Sequence, residues 1–78
     1  MEKITQTEIN KLVQLQLGIS HVSESLRLIQ DLGAESADIA NIVAVSEEKY
    51  QITFQESEIA KIITPKDIFT LIQSKLDD

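Results

Sequence analysis

Few side chains in this sequence could do chemistry, and their types set limits at once. There is no cysteine and a single histidine, His21, so disulfides, thiol catalysis and cysteine-based zinc or iron–sulfur sites are excluded. A metal site or a Ser-His pair would rest on one imidazole among the serines of Ser20-His21-Val22-Ser23, which reads more simply as an exposed loop histidine. A hydrolase elbow needs Gly-x-Ser-x-Gly between a strand and a helix. The nearest string, Gly33-Ala34-Glu35-Ser36-Ala37, has no second glycine and no strand before it. No run of carboxylates has the spacing of a calcium loop. Ser36 remains, placed after a glycine turn, with Glu35 beside it and Asp38 close behind.

The elements that must position Ser36 are helical. Ile9, Leu12, Val13 and Gln16 recur at helical spacing, with Ile4 and Leu17 extending the stripe and Gly18 placed to end it, which predicts a helix over residues 2–17. Residues 18–35 break the period, yet Leu26, Leu28, Ile29 and Leu32 are too apolar for a solvated linker. They predict an ordered loop pinned into the core. A second helix is expected over residues 36–50, with Ile39, Ile42, Val43 and Tyr50 inward, Ala40 and Ala44 allowing close approach, and Ser36 as its N-cap. Gln51-Ile52-Thr53-Phe54 alternates like a strand but has no partner, so it reads as loop. A short third helix is expected through residues 56–61. Thr64-Pro65-Lys66-Asp67 then supplies an N-cap, a first-position proline and an acid at the third position, starting a last helix that runs to about residue 75. The fold class is therefore all-α, a small irregular four-helix bundle of three longer helices and one short one, in a single domain spanning residues 1–78.

Composition narrows the function classes. With 42% hydrophobic residues but only Tyr50, Phe54 and Phe69 aromatic, the core must be built from Ile, Leu and Val. The formal charge of −6 lies wholly between residues 31 and 60, where Asp31, Glu35, Asp38, Glu47, Glu48, Glu56 and Glu58 face Lys49 alone. Such a balance argues against nucleic acid and anionic membranes and for basic protein partners. No apolar run reaches the length of a membrane span, and Met1-Glu2-Lys3-Ile4 lacks the start of a secretion signal, so a soluble, cytoplasmic monomer is expected.

Asp31-Leu32-Gly33-Ala34-Glu35-Ser36 resembles the Asp-Leu-Gly-x-Asp/Glu-Ser signature of acyl carrier proteins. The likeness continues without a gap through Asp38, Ile42-Val43, Glu47-Glu48, Tyr50, Glu56 to Lys61 and Ile62-Ile63-Thr64, and upstream Gln16-Leu17-Gly18-Ile19 looks like the end of the family's first helix. It thus covers essentially the whole chain. The resemblance implies that Ser36 is the attachment point of 4′-phosphopantetheine taken from coenzyme A, with Asp31, Leu32 and Gly33 forming the motif turn. It implies a carrier rather than an enzyme, modified by a phosphopantetheinyl transferase. Glu35, Asp38, Glu47 and Glu48 would dock that transferase and the acyl-loading and acyl-processing enzymes of lipid or polyketide synthesis through their basic patches. Ile42, Val43, Ile59, Ile62 and Leu71 would line a cleft that shelters an acyl chain.

The resemblance also explains the missing cysteine, because thioester chemistry needs a thiol that here must arrive on a cofactor. Ala37 stands where the family usually has leucine, Asn41 where many members have glutamate, and Gln55 where proline is frequent. These departures bear on partner identity and imply a dedicated carrier for a specialised pathway. Two rivals remain: an unmodified helical module that binds a basic protein through its acidic face, and an enzyme using Ser36, for which no plausible base is at hand.

Overall fold

A computed structural model describes residues 3–77. Among them the chain forms α1 (Gln6–Leu17), α2 (Ser36–Tyr50), α3 (Glu56–Ile59) and α4 (Pro65–Leu76), with no strand. Residue 2 of the expected first helix lies outside the described residues. Residues 3 and 4 precede the helix, which starts later because Thr5 caps it, its Oγ1 accepting from the Glu8 N–H at 3.1 Å. The stop falls where expected. Gly18 takes φ +68°, a left-handed conformation that costs glycine little, and the N–H groups of Gly18 and Ile19 both reach the Gln14 carbonyl.

Helices α1, α2 and α4 pack on one another, and their apolar stripes meet in a core of Ile9, Val13, Ile42, Ile68 and Ile72. Leu28 is the loop's contribution, 1% exposed, with Val22 and Ala34 buried beside it. The loop is therefore pinned as predicted, but not by every residue expected: Ile29 is 53% exposed. Backbone bonds fix the same segment, from the Leu28 N–H to the Ile63 carbonyl at 2.8 Å and from the Ala34 N–H to the Leu28 carbonyl at 2.9 Å. The first of these ties the loop to the residues that lead into α4.

Ser46 is the buried polar residue of the core, and its hydroxyl donates to the Ile42 carbonyl at 2.7 Å, so its burial carries no unpaired group. Helix α2 ends at Gln51, whose φ of +56° is unusual for a residue other than glycine; its side-chain amide donates to the Glu48 carbonyl at 2.7 Å. Beside that end, the Tyr50 hydroxyl donates to the Glu8 carboxylate and the Lys49 ammonium lies 3.9 Å from it. Partial burial and the Glu8 charge push the Tyr50 phenol up. This cluster fastens the start of α1 to the end of α2, leaving Ser36 at the opposite end of α2.

Helix α4 begins on the expected signal. Thr64 Oγ1 accepts from the Asp67 N–H at 3.3 Å, and the Asp67 carboxylate accepts from the N–H groups of Ile63 and Thr64, each at 2.9 Å. Pro65 at the first turn is buried. Helix α3 is a single turn, shorter than the stretch expected, and has no fully buried residue.

Candidate functional site

The motif turn is built by backbone and carboxylate contacts before it reaches Ser36. The Asp31 carboxylate accepts from the Arg27 N–H at 2.8 Å and from the Arg27 guanidinium at 3.2 Å, which holds its carboxyl below the usual carboxylate range. The Asp31 and Leu32 N–H groups return to the Arg27 carbonyl. Leu32 is half-buried against the core. Gly33 then takes φ +75° with nothing near its missing Cβ, so backbone angle rather than crowding calls for glycine.

Ser36 is not the N-cap of α2. Glu35 holds that position in extended conformation (φ −103°, ψ 169°), and its N–H donates to the Asp38 carboxylate at 2.8 Å. The acid three residues on selects Glu35 over its neighbour, because a carboxylate at N3 reaches back to the N-cap N–H. Ser36 is the first helical residue and exposed, and no described residue makes a hydrogen bond with its hydroxyl. The first N–H groups of a helix lack partners within it, so those of Ser36 and Ala37 face outward beside that hydroxyl.

From Ser36 an open apolar cleft of about 490 Å³ runs along α2 to Glu47, walled by Ile39, Ala40, Val43 and Ala44 on one side and by Ile29, Ile59, Ala60 and Ile62 on the other. Eleven helical steps of 1.5 Å each make it roughly 16 Å long. Val43, Ile59 and Ile62 are among the residues that line it. Ile42 does not line the cleft: one residue from Val43, it is turned by about 100° into the core, where it is 1% exposed. Leu71 sits half-buried on α4 and is also absent from the lining. The cleft also takes Ile39, expected only as an inward residue, and Ala40 and Ala44, expected only as points of close approach.

The expected docking carboxylates do not share one face. Glu35 and Asp38 meet at the helix start. Glu47 lies at the far end of the cleft, with its carboxylate accepting from the Phe54 N–H at 2.8 Å. Glu48 alone among the four lies on the exposed stripe with Ala37, Asn41 and Ala44. His21 is exposed, and no cluster of potential metal ligands occurs among the described residues. A second apolar groove, at the C-terminal end of α1 around Leu15 and Ile19, contains no serine, histidine or carboxylate.

The residues present suit a phosphopantetheine arm: an accessible hydroxyl for a phosphodiester, backbone N–H groups at a helix start that favour an anion, and an apolar cleft opening beside them. No helix of the described residues is long and apolar enough to cross a membrane. No family model matches the chain. Among curated proteins it is 38% identical over 61 residues to the acyl carrier protein of Campylobacter hominis, covering 78% of this chain and 77% of that one. It is 32% identical over 72 residues to that of Thermotoga maritima, covering 90% and 89%. In fold it is similar to a solved Mycobacterium tuberculosis protein assigned as an acyl carrier protein, with a TM-score of 0.78 at 23% identity over 83% of this chain and 89% of the other. The all-helical fold and the extent of the likeness together lead to one conclusion: this chain belongs to the acyl carrier protein family.

Proposed function

We propose that the protein carries acyl intermediates on a 4′-phosphopantetheine arm attached to Ser36, and that it is a substrate of a phosphopantetheinyl transferase rather than a catalyst. The observation that carries this reading is the exposed Ser36 hydroxyl at the mouth of an apolar cleft, in a family member that has no thiol of its own. The arm, when attached, supplies the thiol on which an acyl group can be held as a thioester. The chain's own contribution is to fix the attachment point. Gly33 turns the backbone, Leu28 anchors the loop, and the Glu35–Asp38 contact starts the helix one residue early enough to leave the serine hydroxyl exposed.

Partners bearing Lys and Arg would meet Glu35 at the helix start and Glu48 farther along α2, with Asp38 and Glu47 adding to the field although each also accepts a backbone N–H. Charge of this kind speeds encounter without requiring tight binding, which suits a shuttle working among several cytoplasmic enzymes. The exposed stripe of Ala37, Asn41 and Ala44 offers small contacts, which supports partners particular to a specialised pathway. Intact mass after incubation with coenzyme A, magnesium and a broad-specificity phosphopantetheinyl transferase tests the reading. One added arm in the wild type and none in Ser36→Ala is expected. No addition to the wild type, under conditions that modify a control carrier, would leave it an unmodified interaction module.

A further inference from the structure

Helix α3 contributes Ile59 to the cleft wall opposite α2, which continues through Ala60 and Ile62 just after it, and it is a single turn with no fully buried side chain. Ile59 packs half-buried against the core, and the polar side-chain link of α3 to the rest of the bundle is made by Glu58. Glu58 receives the Lys75 ammonium of α4 on both carboxylate oxygens, at 2.9 and 3.0 Å, and also accepts the Gln55 N–H at 2.7 Å. The pair is substantially shielded, with side chains 20% exposed for Lys75 and 28% for Glu58. The Lys75 ammonium also stands 5.6 Å from the centre of the buried Phe54 ring, a cation–π distance. One cation on the last turn of α4 therefore grips both α3 and the residue that leads into it. The Gln55 N–H and the Lys75 ammonium hold the Glu58 carboxyl below its usual range, with Lys61 adding a smaller contribution.

We infer that Lys75 is a positioning residue for the cleft: by binding Glu58 and covering Phe54 it sets the place of the α3 wall, although it does not line the cleft itself. Ile62, farther along the wall, belongs to the buried core, so the part this contact holds is the α3 turn ahead of it. Displacement of the α3 turn from α2 then requires release of this ion pair as well as of the Ile59 packing. The significance for cargo rests on the carrier reading above, but the latch itself does not.

Native-state hydrogen exchange followed by NMR, on the unmodified protein near neutral pH, tests the latch. The reporting amides are Ala60, Lys61 and Ile62, which bond within the α3 turn; Val13 and Ile72, both buried in the core, are the references. In Lys75→Met, which keeps an apolar stem over Phe54, exchange at the α3 amides should rise about fivefold, the upper range for a partly exposed pair, while the reference amides keep their rates. Glu58→Gln retains an acceptor for the Gln55 N–H and should give the same increase, with no further increase in the double variant and near-wild-type rates in Lys75→Arg. Equal acceleration of all amides, or unchanged rates at α3, would overturn the latch. Because no arm is needed, that outcome is separable from failure of Ser36 to be modified.

Discussion

Leu28 and Ile29 are neighbours in the same loop, and replacing each by alanine should have very unequal consequences. Leu28 is 1% exposed and packs with α1, α2 and α4, whereas Ile29 is 53% exposed at the edge of the cleft. Shortening a buried leucine to alanine costs about 2–5 kcal/mol, combining lost transfer energy with the cavity left behind. A domain of 78 residues has roughly 4–12 kcal/mol in total, at about 0.05–0.15 kcal/mol per residue. A loss near 3 kcal/mol therefore takes a large share without abolishing the fold, and at about 4–8 °C per kcal/mol for a domain of this size it lowers Tm by roughly 12–24 °C. Ile29→Ala should stay within about 0.5 kcal/mol of wild type, as surface substitutions do, or some 2–4 °C.

Thermal unfolding followed by far-ultraviolet circular dichroism, with urea midpoints as a second axis, reads both variants directly. A small shift for Leu28→Ala would mean that the loop is not part of the core, and the account of how Ser36 is positioned would fail with it. Large shifts for both would mean that Ile29 is covered in solution, contrary to the exposure on which the open cleft depends.

The site makes two further predictions. The Arg27 guanidinium and N–H favour the ionised form of Asp31 in the fold, so its stabilising contribution is present above the ordinary carboxylate pKa of about 3.9 and is lost as pH falls through the lower folded value. The Tm gap between wild type and Asp31→Asn should accordingly close on going from about pH 6 to about pH 3, and a gap that widens on acidification would contradict the pairing. Glu48 is the acid of the exposed α2 stripe, so Glu48→Lys should lower kcat/KM for arm addition by up to about tenfold at low ionic strength. The defect should enter through KM and fade with added salt, and a loss insensitive to salt would rule out steering by this charge.

What was legible in the sequence follows the range of the interactions concerned. Gly18 as a helix stop and Thr64-Pro65-Asp67 as a helix start are local signals, satisfied by groups within a few residues, and both stand in the structure. The density of apolar residues in 18–35 showed that the loop must be buried. It could not show that Leu28 rather than Ile29 turns inward, because a loop has no period to assign a face. In α2 the inward face was clear, but not which of its residues fill the core and which line the cleft. Packing against α1 and α4 sends Ile42 to the core and leaves Ile39, Ala40 and Ala44 on the cleft, a choice made by neighbours distant in sequence. The Lys75–Glu58 pair joins residues 17 positions apart on different helices, beyond any local pattern.

The one-residue displacement of the α2 cap has a chemical consequence. A serine at the N-cap uses its hydroxyl oxygen to accept from an N–H of the first turn, which ties that oxygen down and points it along the helix. With Glu35 at the cap and the Asp38 carboxylate on the Glu35 N–H, Ser36 is relieved of that task. Side chains in a helix lean toward its N-terminus, and Ser36 at the first helical position is exposed, as the proposed attachment of an arm requires. The same arrangement limits the electrostatic cost of an anion there. One of the two nearby carboxylates is already engaged with a backbone donor, and the N–H groups of the first turn oppose the other. The acids around Ser36 thus act first on the backbone, by deciding where the helix begins, and under the proposed function only then would their charge act on a partner.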